Sequence, residues 1–138
     1  MAPSKPQPLK VILDANFFFV PAQFTVDIFE ELATVLNQRF EPVLLSSTLT
    51  ELQGLCESSS LKTKRQALSA LEFSKKCRFI EIEKSPSETF DDVILRVASE
   101  WKCPVATNDK ELRKRLRSVM VPVVFLRQKR RLAVDGAV

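Results

Sequence analysis

The sequence predicts an α/β domain of three layers, α/β/α, around a mainly parallel central sheet. Short apolar runs rich in branched residues alternate with longer stretches of helical periodicity, the rhythm of strand–helix–strand crossovers. The helical stretches are long enough to return the chain to the start of a parallel neighbour. The length, 138 residues of which 45% are hydrophobic, fits one domain and leaves no room for two. A chain of that size buries about 68% of the surface its unfolded form exposes.

Leu9 to Leu13 is a short buried strand cut off by Asp14 and Asn16. The following NFFFVPAQF reads as a loop whose aromatics dock on the core. Val26, Phe29, Leu32, Ala33 and Leu36 recur at helical spacing, with Asp27, Glu30 and Glu31 early, where the helix dipole favours acids. A second strand is expected at Val43 to Leu45. Ser47 or Thr48 then opens a helix carrying Leu49, Leu52 and Leu55, and another runs from Leu61 or Lys62 to about Lys76. Arg78 to Glu83 alternates polar and apolar like a half-exposed edge strand. After a turn at KSPSE, Phe90 to Glu100 forms a helix with Val93, Ile94, Val97 and Ala98 on one side. Pro104 to Thr107 is a buried strand, Asp109 to Ser118 a strongly basic helix, and Val121 to Leu126 the last buried strand. The domain is expected over 9–132, between a loose N-terminal tail, 1–8, and a C-terminal tail, 133–138.

Absences prune the chemistry. With no histidine and no tyrosine, Ser-His-Asp and Cys-His catalysis, histidine bases and imidazole-held zinc are excluded. Cys56, Cys77 and Cys103 are too dispersed for a thiolate metal site or a disulfide framework. Two glycines, Gly54 and Gly136, cannot build a phosphate-cradling loop. No run approaches about 18 apolar residues, so no membrane span is expected. The polar start, MAPSKPQPLK, lacks the apolar core of a signal peptide, which makes the cytoplasm the expected compartment.

The charge is uneven. The chain carries 21 basic and 17 acidic residues, net +4. Residues 109–131 hold nine basic residues against Asp109 and Glu111, a local net of +7. That block favours a polyanionic partner, with a solvated helix face plus a basic tail as the plainer alternative. Lys110, Arg113, Lys114 and Arg117 on the helix, and Arg127, Lys129, Arg130 and Arg131 after the last strand, are the expected phosphate contacts.

In open α/β sheets ligands bind beyond the carboxyl ends of the strands. Asp14, Glu51, Asp91, Asp92 and Asp109 all fall at loop or helix-start positions there. If the sheet gathers their strands, the acids form one pocket whose self-repulsion calls for a cation. Mg²⁺ or Mn²⁺ with oxygen ligands is the natural choice, set against a phosphodiester. Each acid also has an ordinary reading. Thr48-x-x-Glu51, Thr89-x-x-Asp92 and Asn108-x-x-Glu111 have capping-box form, with Asp109 at a first helical position, and Asp14 with Asn16 could organise a turn.

The stretches VILDANFFFVP, LTELQGL, DDVILRVA and VATNDKELRKRLR, followed by VPVVFLRQKRRL, resemble the PIN-domain nucleases. The resemblance is nearest to archaeal members similar both to VapC-type toxin ribonucleases and to the nuclease of eukaryotic small-subunit ribosomal RNA processing. It runs from about Lys10 to Leu132, and its ordered D-x-N, E, D and T-N-D is specific. It implies a PIN-like fold and a divalent-metal-dependent endoribonuclease, in ribosomal RNA processing or as a VapC-like toxin. Asp14, Glu51, Asp92 and Asp109 would be the catalytic acids and metal ligands. Asp91 would be a further metal contact through water, with the register between Asp91 and Asp92 open. Asn16 and Thr107 match supporting polar positions. Ala15 stands where many relatives have threonine, which removes no ligand.

The partners implied are RNA, ribosomal RNA or a pre-ribosomal particle among the choices, and an antitoxin protein if the toxin reading holds. A homodimer is expected too, because Phe17, Phe18 and Phe19, with Val26, Phe29 and Leu32, offer more apolar surface than a local core should absorb. Two competing functions are a non-catalytic RNA-binding or ribosome-assembly protein keeping the fold, and a phosphatase or flap-type DNA nuclease. RNA binding alone gives no reason to gather acids, and the chain leaves little room for a duplex-gripping insertion.

Overall fold

The computed structural model describes residues 7–138. In chain order it contains β1 (Leu9–Leu13), a 3-10 turn (Ala15–Phe19), α1 (Val20–Phe24), α2 (Ile28–Leu36), β2 (Phe40–Leu45), α3 (Ser46–Leu55) and α4 (Leu61–Ser74). There follow β3 (Arg78–Ile80), α5 (Phe90–Trp101), β4 (Val105–Ala106), α6 (Lys110–Ser118), β5 (Val123–Arg127) and β6 (Arg131–Asp135). The six strands form one sheet in the order β3-β2-β1-β4-β5-β6. Every pairing is parallel except β5 with β6. The α/β/α prediction therefore holds, and the carboxyl ends of β1 to β5 share one edge.

The apolar runs explain the layering. Val11, Ile12 and Leu13 are all fully buried, as a parallel strand covered on both faces requires. On one face Phe17, Phe18, Leu32, Leu52, Ala67 and Ala70 join the core, contributed by the 3-10 turn and α2 to α4. On the other face α5 and α6 bring Val93, Ile94, Val97, Leu112 and Leu116. Helix ends follow local chemistry: Asp27 accepts from the amides of Phe29 and Glu30 to start α2, and Asn37 (φ 51°) ends it in the left-handed region. No described helix is long and apolar enough to cross a membrane.

Two expectations are corrected. The NFFFVPAQF stretch is helical, and it buries all three phenylalanines inside the subunit, Phe17 and Phe18 at 0% exposure. Burial of each full ring is worth about 1.5–3 kcal/mol, and with Val26 and Leu32 buried too, only Phe29 of the six apolar residues named for a homodimer face is left half-buried. The second correction is β6, which takes Ala133 to Asp135 out of the expected tail and adds an antiparallel strand to the sheet. Its hairpin with β5 turns through Gln128 and Lys129, both left-handed at φ 55° and 59°.

Candidate active site

Asp14 follows β1 directly and is 3% exposed. Its Oδ1 accepts from the Ala15 amide at 2.8 Å. Its Oδ2 accepts from the Thr107 hydroxyl at 2.7 Å and from Asn16 Nδ2 at 3.1 Å. Thr107 closes β4, the strand beside β1, so the parallel pairing itself brings the two together. Asn108 extends the stitching: its amide donates to Asn16 Oδ1 at 3.2 Å and its Oδ1 accepts from the Leu126 amide at 2.7 Å. The ends of β1, β4 and β5 are thereby held in one frame.

Above this frame lies a cleft of about 260 Å³ walled by Asp14, Asn16, Glu51, Asp91 and Asp109, with Phe19, Gln23 and Leu55 completing one side. At roughly 30 Å³ per water, it has room for a hydrated cation and a phosphate group. Asp109 is the N-cap of α6: its Oδ1 accepts from the amides of Glu111 and Leu112, so Asp109, not Asn108, caps this helix. Glu51 lies within α3, which starts at Ser46 straight from β2, so Thr48 and Glu51 make no capping box.

Asp92 is not a wall of this cleft. It completes the capping box of α5, accepting from the Thr89 amide at 2.9 Å, and its Oδ1 takes Arg115 Nη2 at 2.7 Å. The amide of Thr89 and Arg115 hold its carboxyl below the usual carboxylate range. The expected register therefore shifts by one residue, and Asp91 occupies the place given to Asp92. In a helix, adjacent residues face about 100° apart, so only one of the pair can serve the cap while the other faces the cleft.

The acids disfavour one another's ionisation. Burial pushes Asp14 up to about 6, against the opposing Thr107 hydrogen bond, and Asp91 and Asp109 add repulsion. Glu51 rises to about 7 through burial first, then the charges of Asp14, Asp91 and Asp109. Asp91 is raised by burial and by Asp109. Among the described residues no three acids or cysteines close tightly enough to form a finished metal cage. The donor set nonetheless fits a hard divalent cation. It is all oxygen, it is mutually repulsive, and Glu51 Oε1 is buried with no hydrogen-bond partner.

Residues 11–129 match the family model described as a PIN-like domain. The chain belongs to the PIN-domain nuclease superfamily. It is 32% identical to Ribonuclease VapC4 of Methanocaldococcus jannaschii, over 94% of this chain and 98% of that protein. Against Schizosaccharomyces pombe, it is 29% identical to the rRNA-processing protein utp23 and 32% identical to fcf1. This PIN domain spans about half the length of those two, 46% and 55%. Among solved structures, the PIN domain endonuclease Utp24 superposes with TM-score 0.77 at 29% identity, covering 95% of this chain and 94% of that one. VapBC2 from Rickettsia felis superposes at 0.62 with 15% identity, a likeness of fold.

The cations of this PIN domain divide by what they touch. Arg113 and Arg117, expected to face a polyanion, instead clamp Asp135 of β6 at 2.9 and 3.2 Å. Arg113 also stacks on Phe125, 3.7 Å from the ring centroid. Arg117 lies over Gly136 (φ 101°), where a β-carbon would overlap its guanidinium. Lys110, Arg127, Lys129, Arg130 and Arg131 are exposed and make no ion pair among the described residues. Lys114 pairs only loosely with Glu111, at 3.7 Å, with both side chains more than three-quarters exposed; such a pair contributes little. Because β5 ends at the same edge as β1 and β4, the hairpin carrying four of these cations projects from the sheet edge that bears the acids, with Arg130 and Arg131 lining a groove against Glu31, Thr34 and Val35 of α2.

Proposed function

We propose that this PIN domain is a divalent-metal-dependent endoribonuclease of the cytoplasm that hydrolyses RNA phosphodiester bonds. The observation that carries the reading is the meeting of Asp14, Glu51, Asp91 and Asp109 in one cleft at the strand-end edge, with a buried Glu51 oxygen left unpartnered. Those four acids would hold Mg²⁺ or Mn²⁺, which when bound supplies Lewis-acid polarisation of the phosphate and an activated water. Asp14 is oriented by three donors, so its carboxylate cannot rotate away from the cleft. Asp109 spends Oδ1 on the helix cap and keeps Oδ2 for the site. Asn16 and Thr107 position Asp14 and leave the chemistry to the acids. Lys110, Lys114, Arg127, Lys129, Arg130 and Arg131 would hold the phosphate backbone, which positions RNA without reading its bases.

Two settings are supported by different relatives. The likeness to utp23, fcf1 and the Utp24 structure supports ribosomal RNA processing, with a pre-ribosomal particle as partner. The match to VapC4 along nearly its whole length supports a VapC-like toxin with an antitoxin protein as partner. Sequencing of RNA ends in cells expressing the active protein separates them, since one predicts cuts confined to ribosomal RNA precursors and the other predicts growth arrest.

The deciding assay compares wild type with Asp14→Asn on structured and unstructured RNAs in Mg²⁺ and Mn²⁺. The variant keeps the side chain's size and loses its charge, so cleavage should fall at least about a hundredfold while RNA binding persists. No cleavage by wild type in any divalent metal would leave a non-catalytic RNA-binding protein.

A further inference from the structure

The side chains of three exposed cations early in α4, Lys62, Lys64 and Arg65, make no ion pair among the described residues. They lie outside the basic block of residues 109–131. Their helix sits at the cleft. Leu55, which ends α3, is a cleft wall, and only five residues separate it from the start of α4. On the second turn of α4, Gln66 accepts a hydrogen bond at 3.4 Å from Nε2 of Gln23, another cleft wall.

Helical geometry sorts the three. At about 100° per residue, Lys62 lies about 40° from Gln66 around the helix, while Arg65, about 100° away and opposite the buried Ala67 and Ala70, faces outward beside Lys62 and within reach of the same flank. Lys64 lies about 160° away. It shares its flank with Leu68, Leu71 and Lys75, which line an apolar groove against β3 instead. The strand order fixes the other coordinate. The α3–α4 crossover leaves from β2, on one side of β1, whereas β4, β5 and the basic hairpin lie on the other. Asp14, at the end of β1, stands between.

We propose that Lys62 and Arg65 form a second phosphate-holding bank, so that single-stranded RNA crosses the acid cleft with one arm on α4 and the other on the β5–β6 hairpin. This rests on the ribonuclease reading and adds to it a polarity of grip. A strand of phosphates is repelled by a cleft of four carboxylates. Cations on one side alone would let the strand swing clear, and cations on both sides hold it across the gap. It follows that the preferred ligand is a single strand long enough to reach both banks.

The test is an anisotropy titration of fluorescein-labelled oligouridylates of about six and about eighteen nucleotides, without divalent cation so that the RNA stays intact, at several salt concentrations. Lys62→Gln with Arg65→Gln should weaken binding of the longer RNA about tenfold and reduce the salt slope by up to about 1.4, two contacts at about 0.7 each. The shorter RNA, which the hairpin bank alone can hold, should lose much less. Lys64→Gln with Lys75→Gln removes the same charge from the other flank and should leave both affinities close to wild type. Wild-type affinity and slope in the first variant, or an equal loss in the second, overturns the α4 bank and leaves the ribonuclease reading intact. Failure of wild type to bind either RNA overturns that reading and the bank with it.

Discussion

Thr107 donates its hydroxyl hydrogen to Asp14 Oδ2 at 2.7 Å, joining residues 93 positions apart. The same hydroxyl oxygen accepts the Asp109 amide at 3.1 Å, so one small side chain serves two acids of the cleft. Thr107→Val keeps the shape and removes both bonds. Loss of the donor should raise the Asp14 pKa further and move the acidic limb of the cleavage profile to higher pH. The orphaned amide should cost about 1–3 kcal/mol of stability. Thr107→Ser should restore both. A pH–rate profile with an unmoved acidic limb in the valine variant would show that Thr107 does not tune Asp14.

The adjacent aspartates should part company under substitution. Asp91→Asn is expected to cut cleavage at least about a hundredfold with little change in stability, since its carboxylate faces the cleft. Asp92→Asn should keep most of the activity and lose some stability, because it disturbs the α5 cap and the Arg115 pair. Paired kcat and urea-unfolding measurements decide this; the opposite pattern would restore the register expected from the sequence.

Stability of the metal-free protein should fall as pH rises from about 4 to 7. Asp14 releases its proton at about 6 in the fold and near 3.9 in the unfolded chain. Between those values the native state holds more protons, so the unfolding free energy declines with pH. Asp14 alone accounts for about 2–3 kcal/mol, fully lost once pH passes its folded value, and Glu51 acts in the same direction. Asp92 and Glu88, held low by hydrogen bonds, act oppositely, but below the ordinary carboxylate value. Millimolar Mn²⁺ should flatten the slope. Urea midpoints that rise toward about pH 7 without metal would contradict the repulsion among these acids.

The basic residues of the C-terminal third should separate into two behaviours. Neutralising Lys129, Arg130 and Arg131 together should lower RNA affinity and reduce the salt slope by up to about 2, with folding unaffected. Arg113→Gln should instead cost about 1 kcal/mol of stability through the lost Asp135 pair and Phe125 stack, with RNA affinity nearly unchanged. Salt-dependent binding curves and thermal melts on the two variants check both halves.

That division explains how far the sequence could be read. Strands buried on both faces announce themselves as apolar runs, and Asp14 stood out because it cuts one short at the ligand-binding edge. β6 did not, since RLAVD is short, half-exposed and preceded by a run of cations that resembles a tail. Without β6, Asp135 had no visible role, and Arg113 and Arg117 looked free to meet RNA. The Thr48-x-x-Glu51 pattern misled for a different reason: α3 begins straight from β2 with no side-chain cap, placing both residues inside the helix. The Asp91–Asp92 ambiguity was a matter of which carboxylate the Thr89 amide would claim, which depends on the exact start of α5.

The hairpin turn carries a cost. Gln128 and Lys129 adopt the backbone that glycine or asparagine takes with ease. Side chains there each forgo about 1–2 kcal/mol, although a glycine pair would hold the same turn more cheaply. The two positions are not equivalent in what they return. Gln128→Gly should raise the melting temperature and leave RNA affinity unchanged, a pure gain in stability. Lys129→Gly should raise the melting temperature as well, but should surrender a cation at the tip. A protein tuned only to persist would keep glycine at both positions. On the ribonuclease reading proposed above, the lysine trades stability for function, and stabilised variants of this domain designed on fold alone would be expected to grip RNA less well.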